Sequence, residues 1–154
     1  MTESLADAKR QVRERIADGE GVMCPCCGSW NKAYRRRLNR AKVRELQAMY
    51  RWADENDSLF DFFHVPSTGM SLRNREYPKL RWWQLIEPRD PEVGSGENTG
   101  FWKLTLIGVK FVRGEVRLPN MVVEYRSEFL RFADDAELVG VREALLDDSI
   151  DPDE

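Results

Sequence analysis

The amino-acid sequence predicts an α+β fold, and three observations carry the prediction. Apolar residues recur at helical spacing in residues 2–19, in residues 31–56 and just after Thr105. Short apolar or alternating runs bounded by Pro, Gly, Asn and Asp read as strands at residues 60–65, 85–87, 101–104 and 121–125. The length of 154 residues suits one domain, or one domain with an appendage, and is enough to bury a real core. No apolar run is long enough to span a membrane and the N-terminus lacks the apolar stretch of a signal peptide, so a cytoplasmic protein is expected. The chain divides into an N-terminal helix with a Cys knuckle (residues 1–30), a long basic helix with a central core (31–114), and a C-terminal hairpin-helix extension with an acidic tail (115–154).

In residues 2–19, Leu5, Ala8, Val12 and Ile16 line one face, Ser4 and Asp7 resemble a capping box, and Gly19 stops the run. Such a terminal helix either packs on its own domain or serves a homodimer. Next comes Cys24-Pro25-Cys26-Cys27-Gly28, a C-P-x-C-G turn in which Gly lets the backbone curl around two thiolates. It looks like one zinc-ribbon knuckle. Three cysteines this close cannot build a disulfide framework, and a reducing compartment favours a metal or free thiols. The expected cofactor is a structural zinc held by Cys24, Cys27 and the single histidine, His64, with Cys26, Asp61 or water as fourth donor. The competing reading makes the cysteines small apolar fillers and His64 a hydrogen-bonded core residue.

Residues 31–56 read as one long helix. Tyr34, Leu38, Ala41, Leu46, Met49, Trp52 and Ala53 fall on one face, and Arg36, Arg37, Arg40, Arg44 and Arg51 fall on a narrow opposite stripe. The formal net charge of −3 hides this segregation: residues 22–51 carry eight basic side chains against one acidic, and residues 119–154 carry three against eleven. Five like charges on one stripe call for an anion, either phosphate or the chain's own acidic tail.

Residues 60–65 then read as a strand and 67–72 as a short helix weakened by Gly69. Arg73, Asn74 and Arg75 mark a turn, and Tyr77–Trp83 follows as a short helix whose wet side carries Lys79 and Arg81. Arg, Asn and Lys are the types that read base edges and hold phosphates. Of the two tryptophans, one is expected in the core and Trp82 is the candidate exposed anchor. Two strands flank the Pro- and Gly-rich residues 88–100, Thr105 caps another helix, and Gly114 ends it. Residues 121–132 read as a hairpin, 135–146 as a last helix and 147–154 as a disordered acidic end.

Helix, strand, loop, strand, helix in this order resembles a winged helix-turn-helix, with residues 88–100 as the wing. The specific words are Leu85-Ile86-Glu87 and Leu104-Thr105-Leu106-Ile107-Gly108, similar to the L-I-E and L-T-x-x-G phrases of bacterial winged-helix regulators. The resemblance covers about 50 residues, from 59 to 114, and one departure is visible: the family usually has Gly before Leu-Ile, where this chain has Gln84. The knuckle, the Y-R-R-R-L-N-R run and the K-L-R-W-W-Q-L-I-E run also look like those of small bacteriophage proteins. The resemblance implies binding to double-stranded DNA, as in a phage-encoded transcriptional regulator. The alternative is a phage protein that binds and inhibits a host protein through the same scaffold. An enzyme is not expected, since one histidine, no Ser-His-Asp set and no phosphate-cradling glycine loop supply no argued catalytic site.

Overall fold

The computed structural model describes residues 5–17, 21–24, 28, 30–70, 72, 75–89, 100–126 and 128–152. The wing expectation therefore falls largely outside the described residues, as do Arg73, Asn74, Cys26 and Cys27. The architecture is α+β, with small antiparallel sheets and helices packed on them.

Helix α1 (Leu5–Ala17) buries Ala8 and Val12, Val12 within a small apolar core, and leaves Leu5 exposed. Strands β1 (Val22–Met23) and β2 (Trp30–Asn31) pair across the cysteine turn. The helix expected over residues 31–56 is broken, which corrects the sequence expectation: Tyr34–Arg37 forms strand β3, and α2 spans only Arg40–Glu55. Asn39 is the physical cause, because its extended backbone stops a helix from running through and its side-chain oxygen accepts from Lys42 N–H at 3.2 Å as an N-cap. Arg36 and Arg37 consequently lie on a strand, not on the helix stripe.

After α2 the chain forms β4 (Phe63–His64), a 3-10 turn over Val65–Thr68 ended by left-handed Gly69, and a 3-10 helix over Tyr77–Trp83. The expected short helix over 67–72 is thus a single turn that ends at its glycine. Strands β5 (Ile86–Pro88) and β6 (Phe101–Leu104) complete a three-stranded sheet in the order β4-β6-β5, and helix α3 (Leu106–Val112) follows Thr105 as expected. A single joint locks these parts. Thr105 N–H donates to the Leu85 carbonyl at 3.1 Å, its hydroxyl donates to the Gln84 carbonyl at 2.5 Å with the Leu85 oxygen 3.2 Å away, and Thr105 Oγ1 accepts from Gly108 N–H at 2.9 Å. A Cβ at Gly108 would stand 2.0 Å from that same Leu85 oxygen, so only glycine lets α3 approach so closely. Gln84, with φ +60°, holds the left-handed turn into β5, where glycine carries less strain.

Strands β7 (Leu118–Pro119), β8 (Met121–Tyr125), β9 (Glu128–Phe132) and β10 (Leu138–Val139) precede helix α4 (Val141–Leu146). The β8–β9 hairpin matches the expectation, whereas the last helix is cut to six residues by β10 and Gly140. Strand β8 lies between β3 and β9 and divides two cores. Val122 joins the main cluster of Val43, Leu46, Leu80, Trp83, Trp102 and Phe111, while Met121, Val123 and Tyr125 join a smaller one with Val12, Val22 and Ala33. Residues 147–152, expected to be disordered, are held against the β3–α2 junction, and Asp151 is only 3% exposed.

Candidate functional site

The basic residues predicted to form one surface separate into two groups, distinguished by what faces them. Arg36, Arg37, Arg40 and Lys79 are engaged inside the molecule. Arg36 pairs with Glu124 at 3.2 Å and Asp151 at 3.5 Å, and Arg37 pairs through its guanidinium with Asp147. Arg40 Nε donates to the Leu145 carbonyl at 2.8 Å. Lys79 reaches Glu76 at 2.9 Å and Asp151 at 3.4 Å.

At the centre of this group is Lys42, fully buried and 2.9 Å from Asp151. It is absent from the sequence-predicted site residues, though a signal exists: Lys42, Leu46 and Met49 stand at i, i+4 and i+7, so this lysine lies on the apolar face of α2 and demands a buried counter-charge. Burial alone would raise the Asp151 pKa, but the Arg37 N–H, Lys42 and Lys79 outweigh it and hold the carboxyl below its ordinary value. Asp147 is lowered likewise: burial opposes the shift, and Arg37 with Ser149 overcomes it. Lys79 also loses by burial and gains more from Glu76 and Asp151, which leaves its pKa raised. Glu45 accepts from the N–H groups of Glu76 and Tyr77 at 3.0 and 3.2 Å, which ties the start of the 3-10 helix to α2; burial raises its pKa.

The second group is open. Arg44 and Arg51, seven residues apart on one face of α2, and Arg75, next to the Glu76 amide that Glu45 holds, are exposed and engage no carboxylate among the described residues. Arg81 lies half-buried over the Trp82 ring, 5.7 Å from its centroid. Trp82 itself is 7% exposed and belongs to the main core with Trp83, which corrects its assignment as an exposed anchor: the tight 3-10 winding turns both rings inward.

A groove that sequence reasoning missed opens beside these rings. It encloses about 790 Å³ and is lined by Trp82, Ile86, Pro88, Leu106, Ile107 and Phe129, with Arg81 and Glu87 also on its walls. Leu106, Ile107 and Phe129 are all exposed apolar side chains. Leu106 and Ile107 sit directly behind the Thr105 cap, and Phe129 comes from β9, more than 20 residues on, so no local pattern brings them together.

The zinc-binding candidates fall on different sheets. Cys24 follows β1 and packs against the smaller core, and Gly28, at φ +72°, donates to its carbonyl at 2.8 Å. His64 lies in β4 of the other sheet, its Nδ1 2.5 Å from Ser67 Oγ and its ring 5.0 Å from Phe101. Among the described residues, no group of three or more His, Cys, Asp or Glu side chains is gathered for a metal ion. The other thiols, Cys26 and Cys27, lie outside the described residues.

No protein-family model matches the chain, and no curated protein or solved structure is significantly similar to it. Among the described residues, no helix is long and apolar enough to cross a membrane.

Proposed function

We propose that the protein binds double-stranded DNA in the manner of a winged-helix transcriptional regulator. The observation that carries this reading is the group of exposed cations, Arg44, Arg51 and Arg75, which engage no carboxylate among the described residues, on α2 and on the turn tied to it by Glu45. Guanidinium groups left open to solvent on one helix face suit the phosphate backbone, which supplies most of the affinity in such complexes. The winged-helix part of the reading is supported by the β4-β6-β5 strand order, the 3-10 helix preceding the β5–β6 pair, and the Leu85–Thr105–Gly108 joint where its two sequence phrases meet. A knuckle zinc on Cys24 and Cys27 would brace the β1–β2 turn and take no part in recognition.

The test is a titration of mixed-sequence duplex DNA over a salt series. The Arg44→Ala/Arg51→Ala protein is expected to bind all sequences more weakly, with a salt slope shallower by roughly 0.9 for each phosphate that the two arginines neutralise. Absence of binding at low salt by the unaltered protein would sink the reading. A second reading, capture of a host protein, is favoured by the groove at Trp82, Leu106, Ile107 and Phe129. There Leu106→Asp should abolish a stoichiometric complex while leaving DNA affinity unchanged.

A further inference from the structure

The carboxylate of Asp151 occupies a position built for an oxyanion. One of its oxygens accepts from the Arg37 backbone N–H at 2.7 Å and from Lys42 Nζ at 2.9 Å. The other faces Lys79 Nζ at 3.4 Å and Arg36 Nη1 at 3.5 Å. A backbone amide, two ammonium groups and a guanidinium converging on one point form the donor set that phosphate oxygens take, with charge-assisted bonds from several directions. Three cations exceed the charge of one carboxylate. The remainder is offset at the rim by Glu76, 2.9 Å from Lys79, and by Glu124, 3.2 Å from Arg36.

The segment that delivers Asp151 is fastened by polar contacts. Arg37 holds the Asp147 side chain, Arg40 N–H donates to the Asp147 carbonyl at 2.8 Å, and Asn39 Nδ2 donates to the Ser149 carbonyl at 2.8 Å. Its apolar side chains, Ile150, 71% exposed, and Pro152, also exposed, are open to solvent, and Leu146 just before the segment is 78% exposed. Apolar burial therefore contributes little to the attachment, and a fastening made of charges is weakened by salt and open to competition by another anion.

We propose that Arg37 N–H, Lys42, Lys79 and Arg36 constitute a phosphate-binding site, and that residues 147–152 are its tethered competitor. A phosphodiester of the nucleic-acid backbone is the occupant that replaces Asp151; its source rests on the DNA-binding reading above, and inorganic phosphate is the independent probe. Because a tethered group competes at an effective concentration in the millimolar range, a polyanion displaces it where a single phosphate does not. The open cations Arg44, Arg51 and Arg75 then make the first contact, and release of the segment adds a second set.

Five proteins test this: the unaltered chain, Asp151→Asn, Asp147→Asn, and Asp151→Asn combined with either Lys79→Gln or Lys110→Gln. Asp151→Asn removes the competitor's charge in place. Asp147→Asn loosens the tether while leaving Lys42 its partner, which guards against misfolding of the first variant; circular dichroism checks both. Asp151→Asn is expected to bind mixed duplex DNA at least about tenfold tighter, with a salt slope steeper by roughly 0.9 for each additional phosphate bound, and Asp147→Asn to show a smaller increase. Lys79→Gln should cancel the increase, whereas Lys110→Gln, an exposed lysine on α3, should not. Inorganic phosphate should raise the unfolding temperature of the Asp151→Asn protein and leave that of the unaltered chain unmoved. Equal DNA affinity and equal salt slope in all folded variants would overturn the competitor while leaving the DNA reading intact. Phosphate stabilisation without DNA binding would uphold the site and sink the DNA reading. Neither effect in folded variants would overturn the site itself.

Discussion

Two junctions hold this molecule together by opposite means. The joint of Leu85, Thr105 and Gly108 is made of backbone contact and apolar burial, with Trp83 and Trp102 each 1% exposed in the same core. The junction at Asp151 is made of charge, with Lys42 as the buried cation at its centre. The first junction gains its strength from close packing, which salt and pH leave alone. The second depends on every carboxylate being ionised and every cation being matched, so its strength belongs to the solution as much as to the chain. A protein with both can keep its core intact while one edge of it responds to ions.

The contrast is sharpened first by Gly108→Ala. With a Cβ forced to within 2.0 Å of a backbone oxygen, the substitution should destabilise the fold by about 2–3 kcal/mol, equally at low and high salt. Denaturant unfolding measures it, and a cost that varied with salt would blur the distinction. The second prediction concerns pH. Asp151 and Asp147 have lowered pKa values in the fold, so the stability they contribute is complete above the unfolded carboxylate value of about 4 and is lost as pH falls through the lower folded values. Hydrogen-exchange protection at the Arg37 and Arg40 amides, which donate to Asp151 and to the Asp147 carbonyl, should therefore fall in acid before that of Val109 in α3. Simultaneous loss at all three amides would mean a single cooperative unit. The smallest effect is expected at Gln84→Gly, where relief of a left-handed backbone at φ +60° should stabilise the protein by about 0.5–1 kcal/mol.

The same division separates what is legible in the sequence from what is not. Thr105 as a cap, α3 behind it, the β8–β9 hairpin and the strand at Ile86 are set by neighbours a few residues away, and each lies where the local pattern puts it. Gln84 takes a left-handed backbone at φ +60°, a conformation that glycine adopts with less strain. By contrast, Tyr34–Arg37 carries a spacing compatible with helix, and only pairing with β8, about 90 residues on, makes it a strand. The arginine stripe is divided for the same reason: which cations stay open depends on Glu124, Asp147 and Asp151, distant in sequence and invisible to any local window. Trp82 is misplaced when its 3-10 winding is read at the α-helical period. The acidic end looks disordered by composition, and composition does not register one carboxylate aimed at one buried lysine.

The separation of 109 residues between Lys42 and Asp151 has a consequence in time as well as in space. A chain made from its N-terminus can assemble α2, the β4-β6-β5 sheet and α3 before Asp151 has emerged, since every contact in the Leu85 joint is already available. The nascent molecule can therefore pass through a stage in which the Leu85 joint has formed and the cationic pocket is still unfilled, and Asp151 closes that pocket afterwards.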